Sequence, residues 1–459
     1  MHRGVSSYLY IMFRRTQTAR VSRGRYNSRL CTPFIRYSHR GDQIEPSRKA
    51  NDTGAAHSKT WTGRAPSFAG TSYDHALEGT RALVPALRER AARSEAARRL
   101  LPETIRDLHA SGALRILQPR RWGGMELDFV AYVDFAYELA RGCASTSWNQ
   151  VNLVIHHWLL ALFDERAQAD VWDENPEALI AAAIAFPQGQ GGRVDGGFVV
   201  SGRWNFSSSV DIAEWNLLAV SVREGERVVD HRMCLLHRSQ YEIVDDWHVL
   251  GMRATASMTV VANDVFVPEY RTLCMYDVRG GDNFPGARTN PNALYRVTMS
   301  SIGAHGIGGT AAGNAQAALE HTIGLVKERS TSYTATRMRD LPLVQLRVSA
   351  AAAKIDAARL LLRNDCVEAQ ALASRNVVPD AATKLKFKRN MAYAGQLCTE
   401  AVDSLHALAG ANGIYETYPL ERMFRDAHTL SGHIMLNFDT WATSWGLVAL
   451  GGDVNNPTL

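Results

Sequence analysis

Residues 245–268, DDWHVLGMRATASMTVVANDVFVP, form the stretch that decides the fold. Its second half is rich in β-branched residues and ends at a proline, which predicts a strand. It is the last of several short β-rich runs between Ile180 and Tyr270, and polar turns separate these runs. Short strands at roughly ten-residue spacing are typical of a small barrel or sandwich.

Helical patterns flank this β region on both sides. From about Asp74 to Glu174, apolar residues recur every three or four positions. Helical periodicity returns near Tyr295 and gives four long candidates, which predict a four-helix bundle. The sequence therefore predicts a mainly α protein with a central β domain. The expected domains are residues 67–178 (helical), 179–290 (β-barrel) and 291–459 (helical bundle).

The first 66 residues differ in composition from the rest. They carry 13 Lys and Arg against 3 Asp and Glu, whereas the remainder carries 38 against 43. An Arg- and Ser-rich start with few acids is typical of a mitochondrial transit peptide, but no sustained amphipathic helix can be drawn there. We therefore expect a disordered extension or an over-long start. A reducing cytoplasm is the expected location.

Composition also excludes several classes of protein. A mildly acidic body gives no support for nucleic-acid binding, and no apolar run approaches the ~18 residues that span a bilayer. The six cysteines show neither a CxxC pair nor metal-finger spacing, so no metal is expected. The glycine-rich stretch 303–313 (GAHGIGGTAAG) lacks a preceding parallel-sheet pattern, which argues against direct reduction by NAD(P)H.

Four stretches together resemble the acyl-CoA dehydrogenase superfamily. They are SGRWNFSSS (201–209), the opening stretch 245–268, the region from Arg329 to Gln345, and YPLERMFRDAH (418–428). They occur in the family's order, and the resemblance covers about Asp74 to Gly451. It implies an N-terminal helical domain, a middle β-barrel and a C-terminal four-helix bundle.

One departure points to a branch of that superfamily. The dehydrogenases carry a catalytic Glu some nine residues past an Arg-Asp pair such as Arg425-Asp426, but here residues 431–437 read SGHIMLN, without a carboxylate. Four stretches resemble instead the oxygenase components of two-component, flavin-dependent aromatic monooxygenases, such as those acting on hydroxyphenylacetate or a phenolic steroid intermediate. They are CASTSW (143–148), IHHW (155–158), WNFSSS (204–209) and RDAHTLSGH (425–433).

The resemblance implies a specific activity. A phenolic or heteroaromatic small molecule would be hydroxylated with O2 and reduced FMN or FAD, through a C4a-hydroperoxyflavin. A separate flavin reductase would supply the cofactor, and the chain would assemble as a homotetramer. The alternative is an acyl-CoA dehydrogenase or oxidase with FAD and a relocated base, for which Glu416 and Glu421 are the candidates.

Three residues are predicted to be catalytic. His156 lies in an apolar helix, where burying a charged imidazole would be costly. A neutral imidazole there can accept a phenol proton near pH 7. The resemblance places Ser208 opposite flavin N5 and His433 near the flavin, with Asp426 and His428 as its support. In the plainer interpretation, His156 is a core histidine whose hydrogen bonds are satisfied within the protein, and Ser208 is an ordinary turn residue. Ser207 or Ser209 could then be the true ligand of the flavin.

The remaining site residues follow from the same resemblance. Those predicted to contact the cofactor are Phe186, Trp204, Phe206, Ser207, Arg329 and Gln345, the last two reaching a neighbouring subunit's flavin. For Trp204 core packing is the favoured alternative, and Phe186 is also a candidate for the substrate wall or for the core. Those predicted to contact the substrate, with His156, are Trp148, Met252 and Arg253. Ala254 and Ala256 stand where the family often has glycines, so the substrate entrance is expected to differ.

Overall fold

The computed structural model describes residues 66–454. The predicted extension, residues 1–66, lies outside the described residues except for Pro66. Six helices form the N-terminal region: α1 (Tyr73–Ala82), α2 (Val84–Ala97), α3 (Pro102–Ala110), α4 (Ala131–Gly142), α5 (Ala144–Leu160) and α6 (Glu165–Trp172). In the described part of the chain no helix is long and apolar enough to cross a bilayer.

Helix α5 lies at the centre of this region. All its residues are buried except Trp148 and Asn152. Trp158, near its C-terminal end, is completely buried and donates from its indole to the carbonyl of Leu294 at 2.8 Å. A helix that is apolar nearly all round is buried nearly all round, which explains why the run 151–163 reads as almost continuous apolar sequence.

The β region is one mixed sheet of eight strands: β1 (Ile180–Ala183), β2 (Gly189–Val194), β3 (Gly197–Ser207), β4 (Trp215–Glu224), β5 (Arg227–His237), β6 (Glu242–Val244), β7 (Met258–Pro268) and β8 (Thr272–Cys274). The strand order is β6-β7-β3-β2-β4-β5-β8, and β1 pairs with β4. The pairs β1/β4 and β2/β4 are parallel, and the others are antiparallel.

A register shift disturbs the end of β3. Strand β3 pairs with β7 from Gly197 opposite Pro268, and the register shifts between Trp204 and Ser207. Such irregularities re-aim the side chains that follow them. Phe206 and Ser209 accordingly adopt left-handed backbone angles, with φ of 67° and 61°. Ser207 still pairs with Met258, and Ser208 and Ser209 leave the sheet after it.

The C-terminal region is helical. Its helices are α7 (Met299–Ile302), α8 (His305–Glu328), α9 (Pro342–Ser374), α10 (Ala381–His406), α11 (Pro419–Ser431) and α12 (Phe438–Ala449). Helices α8, α9 and α10 share a buried polar contact in which His305 Nε2 lies 3.2 Å from Asp365 Oδ2 and Asn390 donates to Asp365 Oδ1 at 3.0 Å.

The glycine-rich stretch 303–313 allows α8 to pack closely on α4. A Cβ on Gly309 would lie 2.7 Å from the carbonyl oxygen of Val133, and one on Gly313 would overlap that of Tyr137. Helix packing therefore explains why this stretch is rich in glycine. The predicted order of helical, β and helical regions is confirmed. The domain boundaries at residues 178 and 290 remain predictions. They fall in the connections between Trp172 and Ile180 and between Cys274 and Met299.

Candidate active site

Three remote parts of the chain meet at Trp148. This residue lies on α5, and its indole Nε1 donates to Ser208 Oγ, just beyond β3, at 2.9 Å. The edge of the same ring packs against His433, which follows α11, with ring centroids 5.5 Å apart and planes at 74°. Two of the three predicted catalytic residues are thus joined by a residue predicted to contact the substrate.

The three consecutive serines have different surroundings. Ser207 is fully buried and exchanges hydrogen bonds with Asn216 of β4, the shorter 3.1 Å long. Ser209 donates to Asn149 Oδ1 at 2.7 Å. Only Ser208 contacts Trp148, so the structure favours Ser208 over Ser207 and Ser209 as the serine of the site.

Two further hydroxyls continue from Ser208. Its Oγ lies 2.7 Å from Ser257 Oγ, which lies 2.7 Å from Thr255 Oγ1. Thr255 is buried, and its hydroxyl has no other partner among the described residues. If Thr255 accepted from Ser257, its own hydrogen would be left buried without an acceptor, at a cost of about 1–3 kcal/mol.

The favoured direction is therefore Thr255 to Ser257 to Ser208. In that direction the Ser208 oxygen accepts twice, from Ser257 and from the indole of Trp148. A hydroxyl oxygen has two lone pairs and one hydrogen. The hydrogen of Ser208 is consequently left to point away from the cluster, as a donor toward whatever occupies the site.

His156 is held as a neutral acceptor. The ring is 2% exposed and lies with Nδ1 2.8 Å from the carbonyl oxygen of Ile180. A carbonyl only accepts, so Nδ1 carries the proton and Nε2 is the acceptor. Burial lowers the pKa of His156 to about 4. Nε2 has no protein partner in the described part of the chain, which leaves it available to a ligand.

The adjacent histidine, His157, is structural. His157 Nδ1 and Nε2 lie 3.0 and 3.1 Å from the carbonyl oxygens of Leu114 and Ala178. Both nitrogens face backbone carbonyls, which only accept, so the neutral ring donates to one of the two at a time. Burial lowers the pKa of this ring to about 3.

His433 is fixed in the opposite tautomer to His156. Its Nδ1 accepts from the backbone N–H of Met435 at 3.2 Å, so the neutral ring carries its proton on Nε2. Burial lowers the pKa of His433 to about 4. At neutral pH it is an uncharged donor beside Trp148.

The expected support of His433 by Asp426 and His428 is wrong. Asp426 Oδ1 accepts from the backbone N–H of Met252 at 2.6 Å, and His428 Nε2 lies 2.9 Å from Asp403 on the surface. Asp426 instead anchors the segment before β7. Its burial raises its pKa to about 6.

That anchored segment has an unusual backbone. Met252 and Ala256 both adopt left-handed conformations, with φ of 55° and 45°. Non-glycine residues rarely adopt them, and such strain often occurs at functional sites. The family often carries glycines at positions 254 and 256. The left-handed backbone of Ala256 explains the glycine at position 256, because glycine adopts such angles without strain. Ala254 contributes its carbonyl, which accepts from Asn149 Nδ2 at 3.0 Å.

The two residues predicted here to contact the substrate lie in different surroundings. The Met252 side chain is buried. Arg253 lies toward α2, where its guanidinium is 3.8 Å from Glu95, a carboxylate also paired with Arg425 at 2.5 Å. Arg253 therefore belongs to an ion-pair cluster, and none of its described contacts reaches Trp148, Ser208 or His433.

The predicted aromatic contacts also separate. Phe206 is 66% exposed and lies two residues before Ser208, edge-on to Trp247. Trp204 is completely buried and donates to the carbonyl of Ala219 at 2.8 Å, so its predicted contact with a cofactor is replaced by core packing. Phe186 is half-buried against His231 of β5. An exposed ring two residues before a serine hydroxyl that can still donate suits a planar cofactor with a polar edge.

Arg329 and Gln345 lie apart from this cluster. Arg329 donates to the carbonyl of Ala409 at 3.0 Å, and Gln345 donates to that of Arg339 at 3.0 Å. No described contact joins either of them to Ser208, so within one chain they do not complete the site. Any role in holding a flavin phosphate would have to be played toward a second subunit.

The alternative catalytic bases are poorly placed for proton abstraction. Glu416 is exposed, and Glu421 is paired with Arg425 Nε at 2.5 Å. Neither contacts Trp148, Ser208 or His433 among the described residues. The geometry therefore gives no support to acyl-CoA dehydrogenation.

Comparison with known proteins agrees with this geometry. Residues 80–172 match the N-terminal domain, and residues 305–438 the C-terminal domain, of acyl-CoA dehydrogenases. The chain is 36% identical over 376 residues to the FADH(2)-dependent resorcinol hydroxylase, oxygenase component, of Rhizobium sp., an alignment covering 79% of this chain and 91% of that protein. The chain belongs to the oxygenase components of flavin-dependent aromatic monooxygenases.

Similar solved structures support the assignment. The HsaA monooxygenase from M. tuberculosis superposes with a TM-score of 0.80 at 31% identity, over 84% of this chain and all of that one. XiaF from Streptomyces sp., in complex with FADH2 and glycerol, superposes with a TM-score of 0.77 at 26% identity, over 84% and 98% of the two chains. The resemblance inferred from the four sequence stretches is confirmed.

Sequence reasoning missed three polar residues of this oxygenase component. Ser257 and Thr255 had no signal apart from their place in the stretch 245–268. Asn152 had a weak one, because it lies one turn from both Trp148 and His156 on α5, at the spacing that puts residues on one helix face.

Proposed function

We propose that this oxygenase component hydroxylates a phenolic or heteroaromatic small molecule beside Trp148, with reduced FAD supplied by a separate reductase. The observation that carries the proposal is the contact between Trp148 and Ser208. Through Trp148 it joins the Ser208 hydroxyl to His433, and the exposed ring of Phe206 lies two residues before Ser208 in the sequence. When bound, a reduced flavin activates O2 so that one oxygen atom can be transferred to an aromatic ring.

The chain's own residues have distinct roles in this proposal. Phe206 packs against the flavin ring system, and Ser208 donates a hydrogen bond to its N5 edge. His433, neutral with its proton on Nε2, would donate a hydrogen bond from that nitrogen toward the reacting oxygen. Buried α5 excludes water from the same space, which protects reactive species.

His156 orients and activates the substrate. Its Nε2 accepts a hydrogen bond from a substrate hydroxyl, which increases electron density on the ring. An imidazole with a pKa of about 4 is a weak base. It takes the proton fully only as negative charge develops on the phenol oxygen beside it, because an adjacent anion raises the imidazole pKa.

FAD is preferred to FMN on the names of relatives. The Rhizobium relative is FADH(2)-dependent by name, and XiaF was crystallised with FADH2. A flavin reductase is the partner that two-component enzymes require. We also propose a cytoplasmic location, because scattered cysteines without paired spacing are typical of proteins in a reducing compartment.

A homotetramer is supported by the surface of α9. Leu343, Leu346 and Leu360 are all exposed on this helix, and exposed apolar patches mark contact sites. Gln345 precedes Leu346 and lies about 100° round the helix from it, so a subunit packed over Leu346 would have Gln345 at the edge of its contact, where Gln345 could reach a neighbour's flavin. Native mass spectrometry of the wild type and of Leu346→Glu tests this, with a tetramer expected for the first and smaller species for the second.

One reaction tests the activity itself. Purified protein, a flavin reductase, NADH and FAD are incubated under 18O2 with phenol, resorcinol or indole. A hydroxylated product carrying one 18O atom is expected, and substitution of FMN for FAD is expected to lower the yield. Flavin oxidation without labelled product from any aromatic compound, together with reduction of bound FAD by an acyl-CoA, would establish the dehydrogenase alternative instead.

A further inference from the structure

One face of α5 is open along the proposed substrate site. Among the residues of α5, Trp148 and Asn152 alone are not buried. Asn152 lies one turn after Trp148 and one turn before His156, and residues at this spacing lie on one helix face. Because Trp148 contacts both Ser208 and His433, this face is directed toward the active site.

Asn152 presents an acceptor on that face. Its Nδ2 donates to the carbonyl oxygen of Trp148 at 2.8 Å. That carbonyl only accepts, so the network fixes the orientation of the amide, and Oδ1 is directed away from the bond. Asn152 Oδ1 has no protein partner among the described residues.

His156 presents a second acceptor one turn further along. Its Nδ1 is committed to the carbonyl of Ile180, which leaves Nε2 as an unpaired acceptor. The face therefore offers two uncharged acceptors. It offers no cation in the described chain, since Arg253 is held against Glu95. A ligand that satisfies both acceptors must bring two donors.

We infer that Asn152 determines specificity, and that the substrate is an aromatic ring with two hydroxyl or amino donors that are not adjacent. This inference rests on the proposed function. Cβ atoms one helical turn apart are separated by about 5–6 Å. Donors meta or para to one another match that spacing, whereas the hydroxyls of a catechol lie too close together to reach both residues.

The test compares substrates that differ by one hydroxyl. Values of kcat/KM are measured with reductase and FAD for resorcinol, phenol and catechol, using the wild type, Asn152→Leu and the control Asn263→Leu, which alters an exposed amide on the sheet. We expect the wild type and the control to prefer resorcinol to phenol and to catechol. In Asn152→Leu the preference for resorcinol over phenol should fall about 10- to 100-fold, because a second hydroxyl is left without an acceptor.

The outcomes separate the two proposals. An equal loss on resorcinol and phenol, or no change in their ratio, would overturn the role of Asn152; thermal unfolding shows whether the variant is folded. Activity on indole but on none of the phenols would overturn the substrate class and leave the proposed function in place. Absence of product from every aromatic compound would remove the proposed function itself.

Discussion

The indole Nε1 of Trp148 lies 2.9 Å from Ser208 Oγ, and this hydrogen bond joins a helix to the end of a strand 60 residues away in sequence. Indole nitrogen can only donate. The bond therefore occupies one lone pair of the Ser208 oxygen. With Ser257 donating to the other lone pair, the Ser208 hydrogen is left to donate into the site.

Trp148→Phe keeps an aromatic ring against His433 but removes this donor. We expect the fraction of reduced flavin that yields hydroxylated product to fall about fivefold, the equivalent of one hydrogen bond of about 1 kcal/mol. Product and H2O2 are quantified together in single turnovers. If Trp148 acts through Ser208, the variant Trp148→Phe/Ser208→Ala should be no worse than Ser208→Ala, and an additive loss would show that the two residues act separately.

Ser257→Ala removes the second donor to Ser208. Its oxygen then regains a lone pair, and the hydroxyl loses its fixed direction. Product yield per reduced flavin is expected to fall about two- to fivefold, while Ser201→Ala, which removes a hydroxyl from β3 outside the cluster, should behave as wild type. Thr255→Ser should retain activity because it keeps the terminal hydroxyl. Equal yields for Ser257→Ala and Ser201→Ala would contradict a positioning role.

Acid should destabilise the protein through His156. Its folded pKa of about 4 lies below the usual value near 6.5, so between these values the unfolded chain binds more protons than the folded one, and stability falls as pH falls. Between pH 7 and 5 this contributes a loss of about 2 kcal/mol. His156→Gln should reduce that pH dependence in urea unfolding; an unchanged pH dependence would show that the buried imidazole is not neutral.

Asp426 should act in the opposite sense over an overlapping range. Burial raises its folded pKa from 3.8 to about 6, so its contribution to stability is present at low pH and is lost as pH rises through 6. Asp426→Asn keeps an acceptor for the N–H of Met252 and removes the charge. Its free energy of unfolding should exceed that of the wild type by about 2–3 kcal/mol at pH 7 and converge with it near pH 4. A less stable variant at pH 7 would mean that the carboxylate is favourably ionised there.

The close packing of α8 on α4 is tested by two alanine substitutions in one helix. Gly313→Ala drives a methyl group into the carbonyl oxygen of Tyr137 and should destabilise the fold by about 1–3 kcal/mol or more. At Gly324 nothing lies within 4 Å of the position that a methyl group would occupy. Gly324→Ala should therefore stabilise the helix by about 0.5–1 kcal/mol. Thermal unfolding measures both, and similar effects would show that helix propensity, not the contact, determines the outcome.

The sequence by itself determined the order of helical and β regions, because hydrophobic periodicity depends only on local geometry. It also indicated His156, Ser208 and His433 through motifs, and it showed that no carboxylate follows Arg425-Asp426 where a dehydrogenase requires one. Only the tertiary structure decided which serine of 207–209 contacts Trp148, since β3 shifts register there. It also decided that Asp426 contacts Met252 instead of His433, and that Ser257 contacts Ser208. Such contacts join residues far apart in the chain, and no local pattern encodes them.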